Sequence, residues 1–182
     1  MNRFFIACLV ISITSLLSVG CEELGEVKED VLSIEGQDIL VDFTIDPVDV
    51  PGYHIFKEES FEENIDSLLV VYNISPERLE SVTLTSASVE ITGPSDTMSL
   101  DYLDLIKITI YTSELGEKTI AENIKIPHGV KMVELDVMQL DMKDYLEADE
   151  YILTVYGILN TRTYEQRELE ARIKYKYSLF PK

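Results

Sequence analysis

Glu168-Leu169-Glu170-Ala171-Arg172-Ile173-Lys174-Tyr175-Lys176-Tyr177-Ser178-Leu179 alternates without a break between polar and apolar side chains. Successive side chains of a strand point to opposite faces. Leu169, Ala171, Ile173, Tyr175, Tyr177 and Leu179 therefore share one face, and the charged residues share the other. An alternation this long requires one buried face and one wet face, which is the condition of an antiparallel strand on the surface of a core.

Moving outward from this strand, the same period of two recurs. Tyr151 to Leu159 is strand-like, with a turn at Asn160-Thr161. Leu105 to Thr112 places Ile106, Ile108 and Ile110 on one face, and Gly116 marks a hairpin turn. Thr119 to Ile126 and Lys131 to Val137 flank the turn Pro127-His128-Gly129. In Leu79 to Thr92 the apolar parity changes between Val82/Leu84 and Ala87/Val89/Ile91, which predicts a β-bulge near Thr85-Ser86. Ile39 to Ile45 is another alternating strand, and Tyr53 to Phe56 a short one after Pro51-Gly52. Asp141 to Asp149 is a polar crossover with a turn of helix at Tyr145.

One stretch changes period. Phe61, Ile65, Leu68, Leu69 and Tyr72 fall on one face of a helix, Ser60 with Glu63 forms a capping box, and Pro76 stops the helix near Asn73. Many short strands, tight turns and one helix predict an all-β fold. The expected form is an antiparallel β-sandwich over 37–182, immunoglobulin-like or a related Greek key, with one short amphipathic helix.

The N-terminus carries a different signal. Met1-Asn2-Arg3 precedes an apolar run from Phe4 to Val19, with no acidic residue up to Gly20. This is the build of a secretory signal, expected over 1–20, and the run is shorter than the ~20 residues a membrane span needs. Leu16-Leu17-Ser18-Val19-Gly20-Cys21 resembles the bacterial lipobox, with Ser18 where Leu is usual and Leu17 one step earlier. The resemblance implies cleavage after Gly20 and a diacylglyceryl group on Cys21, whose two chains suffice for stable attachment where one does not. Cys8 would leave with the signal, so the mature chain would hold no disulfide. Residues 21–36 read as an acidic tether. Glu22 and Glu23 resemble the acidic surface-export signal of Bacteroidetes lipoproteins.

Ser75-Pro76-Glu77-Arg78-Leu79-Glu80-Ser81-Val82-Thr83-Leu84 and Leu140-Asp141-Met142-Lys143-Asp144-Tyr145-Leu146, with the closing charged strand, resemble small Bacteroidetes-type outer-membrane lipoproteins. The resemblance implies a lipid-anchored β-sandwich on the outer membrane, more often at the cell surface than on its periplasmic face. It implies no chemistry.

The net charge of −19 becomes −20 once Arg3, the only charged residue of the signal, is removed. Such a surface repels phosphate backbones and argues against nucleic-acid partners. Two histidines, His54 and His128, lie far apart in sequence, and there is no nucleophile elbow, phosphate loop or dinucleotide fingerprint. A zinc site would need clustered His and Cys. Two acidic groups, Asp46/Asp49/Glu58/Glu59 and Asp141/Asp144/Glu147/Asp149/Glu150, could offer oxygens to calcium but lack an EF-hand loop. They read as solvated loops, so no metal, cofactor or catalytic residue is expected.

Asp96-Thr97-Met98 resembles the Bacteroidetes O-glycosylation pattern in a loop, making Thr97 a candidate modification site; Asp66-Ser67-Leu68 matches on the helix. Asn73-Ile74-Ser75 is an N-glycan pattern disfavoured by Pro76. Tyr175 and Tyr177 read as core, and Tyr111 and Tyr156 as strand packing.

The leading expectation is a non-enzymatic binding or structural module, held on the membrane through Cys21, with a protein or glycan partner. The alternatives are a carbohydrate-binding lipoprotein of a glycan-uptake system and a hydrolase using a carboxylate pair. A solvent-exposed row of tyrosines would favour the carbohydrate-binding alternative.

Overall fold

The computed structural model describes residues 32–62, 65, 69–70, 73–93 and 98–181. Cys21, Ser67 and Thr97 lie outside the described residues, as do the expected signal and cleavage site.

The described strands are β1 (Leu32–Glu35), β2 (Ile39–Ile45), β3 (Gly52–Phe61), β4 (Leu79–Ile91), β5 (Leu103–Thr112), β6 (Gly116–Asn123), β7 (Met132–Val137), β8 (Tyr151–Leu159) and β9 (Arg167–Leu179). All pairings are antiparallel. Hydrogen bonding runs in the order β1-β9-β4-β7-β6-β5-β8-β3, with β2 also on β9. β7 joins the two halves of this path. Its first residues pair with β4 (Val133 with Val89), and its last pair with β6 (Val137 with Ala121).

The path therefore folds into two layers, β2-β9-β4-β7 against β6-β5-β8-β3, with β1 continuing β2 along β9. The chain passes from one layer to the other between most successive strands. This is the jelly-roll winding of two Greek keys, so the expected sandwich takes its Greek-key form rather than the immunoglobulin order. One corner is closed by β6 on β7. At the other, β2 and β3 lie side by side without a ladder between them, and Phe43 stacks on Phe56 with ring centroids 6.1 Å apart.

β9 sits at the centre of layer 1, between β1/β2 and β4. Its apolar residues are all buried in a core shared with Ile106, Ile108 and Ile110 of β5 and Leu153 and Val155 of β8. Burying a Leu or Ile side chain contributes about 1.5–3 kcal/mol, so this strand anchors the fold. The expected bulge is present: the β4–β9 register shifts between Leu84 and Ser86, and the parity of the inward residues shifts with it.

Two expectations are corrected. The tether was expected to run to 36, but Leu32–Glu35 forms β1, with Ile34 opposite Tyr177. The chain then turns at Gly36, where a Cβ would lie 2.3 Å from the Tyr175 ring. Ser60 was expected to cap a helix beginning at Phe61. Instead both residues belong to β3: Ser60 donates to Glu150, and Phe61 pairs with Tyr151 and stacks on its ring at 5.1 Å. Long-range pairing with β8 outweighs a local cap here.

Ile65, Leu69 and Val70 do carry helical backbone, and Ile65 and Leu69 are buried. Leu68 and Tyr72 of the expected helix lie outside the described residues, and the bonds at Asn73 and Ile74 have the pattern of a Schellman motif. Asn73 adopts φ 55°, its N–H donates to Val70 O at 3.0 Å, and the Ile74 N–H donates to Leu69 O at 2.9 Å. A single helical turn, α1 (Lys143–Leu146), lies in the expected crossover and buries Tyr145 and Leu146. Among the described residues, no helix is long and apolar enough to cross a membrane.

Candidate binding face

A strand with one face in the core shows its other face to solvent, and the two layers show different chemistry there. On layer 1 the outward set of β9 is Glu168, Glu170, Arg172, Lys174, Lys176 and Ser178. Arg172 reaches Glu170 at 3.0 Å and Asp38 at 3.8 Å, and these neighbours raise its pKa. Glu170 stands between Asp42 of β2 and Glu90 of β4 in register. Like charges directly opposite one another are unfavourable, and Arg172 offsets this row.

On layer 2 the outward set of β8, β5 and the start of β3 is mainly aromatic and aliphatic. It holds Tyr53 and Ile55 of β3, Ile152, Thr154, Tyr156 and Ile158 of β8, and Leu105, Lys107, Thr109 and Tyr111 of β5, with Glu58 and Ser60 further along β3 and Glu117 and Glu122 of β6 at its margins. Tyr53 and Ile55 are 55% and 57% exposed, and Tyr111 is 40% exposed. Tyr53 and Tyr156, diagonal neighbours across β3 and β8, stack with centroids 5.4 Å apart and planes at 28°. Lys107, opposite Tyr156 in register, holds its Nζ 4.9 Å from the Tyr156 centroid and 5.9 Å from that of Tyr53. Among the described residues it makes no ion pair within 4.0 Å. Its charge is spent on the rings, a cation–π arrangement.

Polar groups fix this platform from one side. The Tyr156 hydroxyl donates to Glu117 Oε1 at 2.5 Å, and Thr109 Oγ1 donates to the same oxygen at 2.8 Å. Thr109 is buried although it points outward, so its hydroxyl is locked. The donors Tyr156 and Thr109, and then the charge of Lys107, hold the Glu117 carboxyl below its ordinary value of 4.5. The same bond raises the Tyr156 phenol above its ordinary 10.0, because it would be lost to repulsion if both groups were ionised.

The structure places the other candidates elsewhere. His54 Nε2 lies 3.0 Å from Val50 O, and its ring stacks on Phe56. His128 is 92% exposed and 3.4 Å from Asp101. Asp101 accepts from the Gly129 N–H at 2.6 Å, and this bond, with help from Ser99, lowers its pKa. Asp141 accepts from the backbone N–H groups of Val82 and Lys143 and so ties the crossover to β4. Glu147 pairs with Lys143 at 3.7 Å. A cleft at one end of the sandwich gathers Glu114, Asp144, Glu147, Asp149 and Glu150. Even so, among the described residues no three His, Cys, Asp or Glu are grouped to hold a metal ion.

Tyr175 and Tyr177 are core, as expected, and meet edge to face at 5.3 Å. Tyr111 and Tyr156, expected as packing, lie on the outer face instead. Parity was the available signal. Tyr156 alternates with the buried Val155 and Leu153 set, and Tyr111 with Ile106, Ile108 and Ile110.

No protein-family model matches the chain, and no curated protein matches it. Among solved structures, a decameric BFDV capsid protein is similar at 9% identity and a TM-score of 0.35, over 81% of this chain and 99% of that one. The Turnip Yellow Mosaic Virus structure is similar at 13% identity and a TM-score of 0.28, over 84% and 95%. These likenesses are too remote to speak for a function.

Proposed function

We propose that this protein is a non-enzymatic binding module of a bacterial cell envelope, lipid-anchored through Cys21, and that the outer face of layer 2 is its binding surface. The observation that carries the binding role is the exposed pair Tyr53 and Ile55 beside the Tyr156–Lys107 pair, on a sheet whose opposite face already supplies the core. Exposed apolar ground on a sheet is costly to solubility and marks contact surfaces. The anchor rests on the lipobox-like sequence ending at Cys21. Lipid at Cys21 and a first strand at Leu32 leave a connection of about ten residues, which at up to ~3.5 Å each reaches some tens of ångströms. The outer membrane is the address the resemblance implies, with the surface side ahead of the periplasmic side.

Cys21→Ala tests the anchor. The variant is expected in the soluble fraction of broken cells, whereas the unaltered protein sediments with membranes and enters the detergent phase. Sedimentation of Cys21→Ala with membranes overturns the anchor. Protease shaving of intact cells, with a lysed control, tests the side: loss of the folded domain places it outside.

A further inference from the structure

We propose that the Tyr53–Tyr156 platform binds a neutral glycan, a pyranose ring lying on the open tyrosine while Lys107 and Glu117 meet its hydroxyl rim; this rests on the layer 2 face being the binding surface. A pyranose has an apolar face of C–H bonds and an equatorial rim of hydroxyls. It therefore asks for a flat apolar ring flanked by a donor and an acceptor. Tyr53 supplies the ring, with more than half of its surface open. Lys107, without an ion pair among the described residues, keeps N–H groups to donate. Glu117 uses only Oε1 for Tyr156 and Thr109, so Oε2 is left to accept from a sugar hydroxyl. The order of the site is already set: Thr109 fixes Glu117, Glu117 fixes Tyr156, and Tyr156 stacks on Tyr53. A ligand then has few side chains left to immobilise, which is where affinity is otherwise lost.

The charges choose between ligand classes. Lys107 is balanced locally by Glu117, and the chain as a whole carries −19, so an anionic polymer is repelled while neutral hydroxyls are served by both groups. A protein partner fits less well. The cores of protein interfaces are depleted in Lys and Glu, and here a Lys and a Glu stand in the middle of the aromatic ground.

The test is affinity electrophoresis of the full chain, purified in detergent, through gels containing mannan, galactan, xylan or mixed-linkage glucan, with polygalacturonate as the anionic comparison. Retardation is expected in at least one neutral gel. Tyr53→Ala should weaken it about tenfold, and Lys107→Gln and Glu117→Gln severalfold each. Leu40→Ser, on the exposed side of layer 1, should leave it unchanged. Should Tyr53→Ala fail to fold, Lys107→Gln, which keeps both rings, decides the matter. The proposal is overturned by mobility unchanged in every neutral gel, by retardation in polygalacturonate alone, or by retardation that Lys107→Gln and Tyr53→Ala leave intact. Retardation that both variants leave intact overturns the layer 2 face as the binding surface, whereas mobility unchanged in every neutral gel overturns the glycan alone, and neither outcome moves the Cys21→Ala fractionation.

Discussion

The two outer faces of the sandwich answer to the same rule and come out differently. Inside, both layers give alternate residues to one core, Ile173 and Tyr177 from one side and Ile108 and Val155 from the other. Outside, layer 1 shows Glu170, Arg172 and Lys174, and layer 2 shows Tyr53, Tyr156 and Ile158. The charged face is what solubility alone would select. The aromatic face works against solubility and carries a hydrogen-bonded order of its own, so a reason outside the fold is needed for it. Burial tells where the core is. The chemistry left on the exposed side of each strand tells which surface the fold has been arranged to present.

The strongest ways to break this contrast act through glycines under each face. A Cβ on Gly157 would lie 2.2 Å from the Phe56 ring and 3.1 Å from Leu105 O. Gly157→Ala should therefore cost about 1–3 kcal/mol by overpacking. Because β3 must shift, faster amide exchange is expected along Gly52–Phe61. Gly36→Ala, in the turn after the short edge strand β1, meets the Tyr175 ring and should cost less, because β1 can give way at the edge. It should loosen β1 and leave the Tyr53–Tyr156 stack intact. Denaturant midpoints and exchange on both variants check this, and equal disturbance of β3 in the two would erase the distinction.

A milder probe is pH. The folded-state pKa of Glu117 lies below its ordinary 4.5, so its contribution is complete above that value and is lost as pH falls through the folded pKa. The wild type should therefore lose stability on acidification below 4.5 that Glu117→Gln does not lose. Denaturation midpoints at pH 7 and pH 3 give the comparison, and parallel losses in both proteins would show that the carboxylate is not held by the platform. The smallest effect belongs to the charged face. Glu90→Lys replaces one of the two like-charge neighbours of Glu170 in the Asp42–Glu170–Glu90 row with an opposite charge and should stabilise by about 0.2–1 kcal/mol. The gain should shrink in high salt, as exposed pairs do.

Much of the fold was legible because it is written in parity. The alternation of β9 and the bulge at Thr85-Ser86 are local patterns, and each stands where the periodicity put it. The length of β3 was not legible. Its bulge between Ile55 and Lys57 breaks the period, and Lys57-Glu58-Glu59-Ser60 on an edge strand carries no apolar alternation. The layer order was hidden as well, since partners such as Val41 and Ala171 are far apart in the chain. The candidate site shared that fate. Tyr53, Lys107, Glu117 and Tyr156 come from four strands, and only their pairing shows that they meet.

The pairing of β1 and β2 along β9 also sets how the domain would bear a load. Any pull arriving through residue 31 enters at Leu32, where β1 starts opposite Leu179, the end of β9. A pull along β1 strains the hydrogen bonds from Leu32 to Glu35 together in shear, whereas a pull across it would open them one after another like a zipper. Past the turn at Gly36, β2 holds the same partner over Ile39–Ile45, a second clamp in series with the first. A domain loaded in this way resists through the central strand of layer 1, while its aromatic face is carried by the other layer.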